Sequence, residues 1–357
     1  MARRVFLHIG TPKSGTSYVQ DRFARNRDVI AQHGLTYLPT RTGDHFEAAL
    51  DLIEERWAGQ REVARGQWDA LVAEARRTPG DVLISHEILA AARPAQVARV
   101  MSEFAEDEVH VVLTARDLAR QVPAEWQELV KHRSRKSFKK FMVEIVQARK
   151  NGTELWFWRV QDLPGILTRW GNGLPTERIH VVTVPPRTGP VGELWRRFCS
   201  VVGVDPAVAT EESTEFNASL GAAEASLVRR LNKLLGPRRL PRATYLELVR
   251  EVVVRNTLGE RPDPIPVVVP EPRWKFIEAV TAEWLEWLSG SEVDLVGDLD
   301  DLVPVRPGPD HVWVHPDEPP AEDVADAAIA SLAAVVGHLA PIQRSPVRRL
   351  ARKIIGS

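Results

Sequence analysis

The sequence holds a single cysteine, three tyrosines and only nine lysines among 47 basic residues, and it carries almost no net charge. Each scarcity excludes something. One thiol rules out an internal disulfide framework and any zinc site built from several thiolates. Cys199 lies in Leu194-Trp195-Arg196-Arg197-Phe198-Cys199, an amphipathic helical pattern, so it is expected in the core, where free cysteines usually sit. A formal charge of −1 removes the cationic surplus that bulk binding to nucleic acid requires. No stretch reaches the ~18 unbroken apolar residues of a membrane span. The apolar run after Arg3 and Arg4 is too short for a signal peptide, and a cytoplasmic protein is expected. Metal-site patterns are missing too. His311 and His315 are isolated, and Gly297-Asp298-Leu299-Asp300-Asp301-Leu302 lacks the spacing of a calcium loop.

What is present is ample apolar material, 44% of 357 residues, enough for one large domain or two smaller ones. Residues 4–9 are nearly all apolar and end at Gly10, as in a strand covered on both faces. Val19, Phe23 and Ile30 then recur at helical spacing over Ser14–His33, with Gly34 placed to stop the helix. Further strands are expected at Asp81–Ser85, Val109–Ala115 and Arg178–Val184, separated by helices such as Trp68–Arg77, Pro94–Ala105 and Leu155–Trp170. Strands alternating with helices predict an α/β fold with a parallel sheet, its sites at the carboxyl ends of the strands. Beyond Pro185-Pro186 the pattern turns helical, over Val191–Val202, Ala222–Leu235, Tyr245–Asn256 and Trp274–Ser289. The tryptophans there, such as Trp284 and Trp287, are expected in the core.

The loop after the first strand carries the chemistry. Gly10-Thr11-Pro12-Lys13-Ser14-Gly15-Thr16-Ser17 joins a buried strand to a helix, where backbone N–H groups and the helix dipole make an anion site. Glycines let the backbone turn tightly, and Ser14, Thr16 and Ser17 add hydroxyl donors. Gly10 and Gly15 have the separation of a nucleoside-triphosphate loop, but Thr16 occupies the lysine position of that motif. Lys13 comes earlier instead. In a chain so poor in lysine, its presence inside this loop is hard to ascribe to surface usage.

Pro12-Lys13-Ser14-Gly15-Thr16 closely resembles the 5′-phosphosulfate-binding loop of the sulfotransferase family. That resemblance implies a P-loop-like three-layer α/β fold with a central parallel sheet and helical additions. It implies 3′-phosphoadenosine 5′-phosphosulfate as sulfuryl donor, held by Thr11, Pro12, Lys13, Ser14, Gly15, Thr16 and Ser17, with no metal. In the family, an arginine ending a later strand and a serine in the following helix hold the donor's 3′-phosphate. Arg116 matches the arginine. Ala124 stands at the serine position, leaving Arg120, Gln121 or another segment to supply that contact, and Pro123 is expected to kink or restart the helix there.

Sulfuryl transfer needs a cation at the departing phosphate and a base for the acceptor hydroxyl. Lys13 suits the first role. The family places a histidine or a glutamate in the second, and Ser85-His86-Glu87 ends an apolar strand with both. Glu87 is favoured over His86, although Glu87 would also suit a helix cap. The implied acceptor is an alcohol on a small molecule, glycan or lipid. Two rivals stay open: a P-loop nucleotide kinase or NTPase, and a non-catalytic nucleotide-binding protein that retains the loop.

Three further segments stand out. Lys131–Lys140 holds six cations and no acid, and reads as a solvated face or as help in binding an anion, anchored by Phe138. Asn217-Ala218-Ser219-Leu220-Gly221 precedes a helix that Ser219 is expected to cap. Residues 1–320 are read as one domain, helix-rich from about 190, followed by a helix and basic tail over 321–357. In that tail Arg344, Arg348, Arg349, Arg352 and Lys353 surround Val347, Leu350, Ile354 and Ile355, which suits weak contact with an anionic membrane surface.

Overall fold

Val5, Phe6 and Leu7 are wholly buried, which explains an apolar run without alternation: this strand, β1 (Arg4–His8), is covered on both faces. The computed structural model describes residues 2–39, 45–55, 64–186, 188–214, 219–308 and 311–343. With β2 (Leu35–Tyr37), β3 (Asp81–Ser85), β4 (Glu108–Ala115), β5 (Ile179–Thr183) and β6 (Asp294–Val296), β1 builds one sheet in the order β2-β3-β1-β4-β5-β6. Every pairing in it is parallel. The fold is the expected α/β arrangement, a central parallel sheet whose strands are joined by helices.

The helices up to β4 are α1 (Thr16–Arg25), α2 (Arg27–Gln32), α3 (His45–Ile53), α4 (Gln67–Arg77) and α5 (Pro94–Glu103). One helix over Ser14–His33 was expected, and two form. The Asn26 amide donates to Arg22 O and Glu211 O, each at 2.8 Å, while Asn26 Oδ1 accepts from the Glu211 N–H at 2.9 Å. That competition with the helix ladder ends α1. After β4 come α6 (Leu118–Lys131), α7 (Phe138–Asn151), α8 (Trp156–Gln161), α9 (Leu163–Trp170) and α10 (Glu193–Val202). Phe6, Val19, Phe23, Trp195, Phe198 and Cys199 pack into one core on the α1/α10 side of the sheet. Burial pushes the Cys199 thiol up to about 12, so it behaves as an inert apolar group.

The later helices are α11 (Ala222–Arg239), α12 (Trp274–Gly290) and α13 (Ala321–Gln343), with a π-helical segment over Tyr245–Arg255. The chain divides into two compact units. The first comprises Met1–Gln121, Ile145–Glu215 and Pro270–Val305, and the second Val122–Glu144, Phe216–Val269 and Arg306–Ser357. The first unit holds the sheet; the second is helical. Gly221, not Ser219, stands at the N-cap of α11. α6 runs unbroken through Pro123; the ring removes one donor, that of the bond to Ala119 O, from the ladder.

In the second unit the basic run is a turn and a helix start. The Arg133 guanidinium donates to Leu240 O at 2.6 Å and lies 4.2 Å from the Tyr245 ring centroid. Lys136 pairs with Glu144, Phe138 is buried, and Asp317 accepts from the Phe138 and Lys139 N–H groups at 2.8 and 3.0 Å, capping α7. The acidic stretch near 300 is likewise structural. Asp298 caps a 3₁₀ turn, and Asp301 accepts from Thr183 Oγ1 at 2.7 Å while pairing with Arg197.

Candidate active site

β1 lies between β3 and β4, where the strand order reverses, and the loop after it opens at the carboxyl end of the sheet, the usual place for ligands in open α/β folds. The loop holds its own shape. Thr11 N–H donates to Thr114 O at 2.9 Å, and Ser14 Oγ donates to Thr11 O at 2.6 Å while meeting Thr114 Oγ1 at 2.6 Å. The Ser14 hydroxyl proton is therefore used inside the loop. From α6, Gln121 Nε2 donates to Pro12 O (2.8 Å) and Thr11 Oγ1 (3.0 Å), and from the end of α8 Gln161 Nε2 donates to Pro12 O (3.0 Å). Both glutamines are buried. Together they satisfy the Pro12 carbonyl.

Gly10 takes φ +42° and Gly15 φ +83°, both in the region that favours glycine. A Cβ on Gly10 would lie 2.4 Å from Thr16 Cγ2 and 3.3 Å from Glu87 Cβ. Loop, helix start and Glu87 thus meet at one glycine. Lys13 has φ +67° although it carries a side chain, a departure that belongs with functional loops. Gly15 is the N-cap of α1, so the N–H groups of the first turn, from Thr16 onward, have no partner within the helix. Lys13, Gly15 and Ser17 are partly exposed, whereas Thr11, Pro12, Ser14 and Thr16 are buried.

Glu87 follows β3. Gln20 Nε2 donates to Glu87 Oε2 at 3.2 Å and reaches Ser85 O and Oγ at 3.3 and 3.2 Å. Burial pushes the Glu87 carboxyl up, but the neighbouring His86, its own backbone N–H, the Lys13 charge and the Gln20 amide outweigh it and hold it below its ordinary value. The helix cap is His86 rather than Glu87: His86 Nδ1 accepts from the Ile88 N–H at 3.2 Å. A neutral His86 with Nδ1 so engaged carries its proton on Nε2 and has no free lone pair to act as a base. The Phe46 ring lies 5.4 Å from that of His86.

Behind the site, His8 Nδ1 is 2.7 Å from Ser85 Oγ and its Nε2 3.2 Å from Thr114 Oγ1. Burial, only partly offset by Glu87 and reinforced by His86, pushes His8 down to about 3. The imidazole is neutral and joins the strand beneath Glu87 to the threonine beneath Ser14.

No protein-family model and no curated protein matches this chain. Two solved structures are similar to it. A sulfotransferase from Alicyclobacillus acidocaldarius is 15% identical, over 65% of this chain and 93% of that one, with a TM-score of 0.43. The sulfotransferase domain from the curacin biosynthetic pathway is 11% identical, over 60% of this chain and 79% of that domain, with a TM-score of 0.30. Likeness this slight says nothing of this chain's chemistry.

Arg116, just past β4, donates through Nη2 to Arg120 O at 2.6 Å. Of the residues left to replace the missing serine, Arg120 pairs with Asp117 and Gln121 is committed to the loop. Ala124 lies further along α6. Lys13, the loop, His86 and Glu87 are brought together; Arg116 stands at the end of the adjoining strand β4, with Thr114 its link to the loop. Sequence reasoning missed Gln20, Gln161 and His8 altogether. Among the described residues, no cluster of three or more His, Cys, Asp or Glu is set to hold a metal ion.

Proposed function

We propose that this chain is a cytoplasmic sulfotransferase that moves a sulfuryl group from 3′-phosphoadenosine 5′-phosphosulfate to a hydroxyl of a small-molecule, glycan or lipid acceptor. The observation that carries this reading is Lys13, held at positive φ in a glycine-flanked loop whose Gly10 abuts Glu87. A carboxylate at a strand end that feels the charge of a loop cation supplies the two groups that the charge changes of the transfer need.

The donor supplies an activated sulfuryl group. Lys13 and the N–H groups of Gly15, Thr16 and Ser17 hold its 5′ end and balance the charge that grows on the departing phosphate. Thr11, Pro12 and Ser14 keep the loop in shape from within, Ser14 having no hydroxyl proton left to offer. Arg116 takes the 3′-phosphate. Glu87, ionised and oriented by Gln20, accepts the proton of the acceptor hydroxyl as that oxygen attacks sulfur, and His86 supports Glu87 by capping the turn behind it. Positioning and charge stabilisation account for most of the rate in this class of transfer.

A transfer assay with labelled donor over a panel of alcohols tests the reading. Glu87→Gln should cut turnover by about 10²–10⁴, the usual size of general-base catalysis, and leave donor affinity intact. Lys13→Ala should lose both. Normal turnover in Glu87→Gln, with a dead His86→Asn that still binds donor, would transfer the base role to His86.

A further inference from the structure

α13 is apolar on two faces. Its inner face is set into the second unit by Val324, Ala327 and Ser331, all buried, and His338 Nε2 lies 3.1 Å from Glu247 Oε1. Its outer face carries Ile329, Leu332 and Val336, which are 66%, 66% and 59% exposed. Ala325, Ala333 and Ala340, also exposed, complete one stripe about 100° wide. Ala321–Ala340 is long and apolar enough to cross a membrane, yet little of it is buried. A continuous apolar face left to water marks an interaction surface.

Charge indicates what covers it. The acids of α13, Glu322, Asp323 and Asp326, fall in its first turns. After Gln343 the sequence turns cationic, with Arg344, Arg348, Arg349, Arg352 and Lys353 among Val347, Leu350, Ile354 and Ile355; this tail lies outside the described residues. An apolar stripe followed at once by interleaved cations and aliphatics suits a bilayer bearing anionic headgroups. A transverse orientation does not suit it, because the inner face of α13 is already packed on protein.

We infer that the outer face of α13 docks this protein onto the surface of an anionic bilayer. The docking is independent of what the Lys13 loop binds.

Co-sedimentation of the full chain with phosphatidylcholine vesicles, with and without phosphatidylserine, tests it. The chain should pellet with the anionic vesicles, weakly at high salt, and stay in solution with the neutral ones. Ile329→Gln combined with Leu332→Gln should lower the partition constant about 100-fold, at about tenfold for each large aliphatic group kept out of the apolar layer. Both side chains face solvent, so thermal unfolding of this variant should match that of the parent. Reversing Arg348, Arg349 and Arg352 to Glu should abolish the preference for phosphatidylserine. Failure to pellet with anionic vesicles, equal binding of the double glutamine variant, or equal binding to neutral vesicles would overturn the inference. So would a dimer in sedimentation velocity that the glutamine variant loses while vesicles are ignored.

Discussion

Glu87 is a carboxylate whose neighbours favour its charged form over the burial that opposes it. Its availability as a base therefore extends well into acid. The sign follows from its role: a base must be ionised, so turnover is lost only as pH falls through the folded value of Glu87, which lies below its ordinary one. The acidic limb of kcat/KM, which reports the free enzyme, should fall below about 4.3, the free glutamate value. An imidazole base would lose activity near about 6.5 instead. A kcat/KM profile measured down to the limit of folding distinguishes them, and a limb near neutrality would contradict the assignment of Glu87.

At the scale of elements, the loop is held by helices it does not touch in sequence. Gln121 on α6 and Gln161 at the end of α8 converge on Pro12 O. Gln121→Leu keeps the volume roughly and removes the bonds to Thr11 Oγ1 and Pro12 O, leaving that carbonyl to Gln161 alone, at a cost of about 0.5–1.5 kcal/mol for each bond lost. Melting temperature should drop and nucleotide affinity fall with it, although Gln121 meets no ligand. Unchanged affinity would mean that the loop keeps its shape without the clamp.

The sequence made the loop legible because strand, glycines and helix start are contiguous there. Asp81–Ser85 was readable as a strand to the residue, since Val82, Leu83 and Ile84 are all buried. Three-residue β2 and β6 carried no run long enough to detect. Leu155–Trp170 read as one helix but breaks at Asp162, the N-cap of α9, with Pro164 in the first turn beyond it. Gln20, Gln161 and His8 gave no signal because their partners are 65, 149 and 77 residues away in sequence, and only the closed sheet brings them together. Gln121 stood out merely as a candidate for the cofactor, whereas packing turns its amide to the loop.

The whole molecule should respond to pH through its buried imidazoles. His8 and His45 are both pushed down from 6.5 to about 3, chiefly by burial. Below about 6.5 the unfolded chain takes up these protons and the folded chain does not, so stability declines by about 1.4 kcal/mol per pH unit for each histidine. The decline runs from that point down toward 3, where the folded protein protonates as well. Melting temperature should therefore drop from pH 7 to pH 5, and less steeply in His45→Gln. A flat profile across that interval would show that neither imidazole is kept neutral.

The central claim is that one nucleotide is gripped at both ends, by the Lys13 loop and by Arg116, and calorimetric titration tests it most directly. Adenosine 3′,5′-bisphosphate, 5′-AMP and ATP are titrated into the parent chain and into Arg116→Ala. A charge-assisted contact at Arg116 is worth about 1.5–3 kcal/mol, so the bisphosphate should bind roughly 10- to 150-fold more tightly than 5′-AMP. That advantage should vanish in Arg116→Ala. Equal affinity for the two nucleotides in the parent chain, or tight ATP binding accompanied by hydrolysis, would contradict the account.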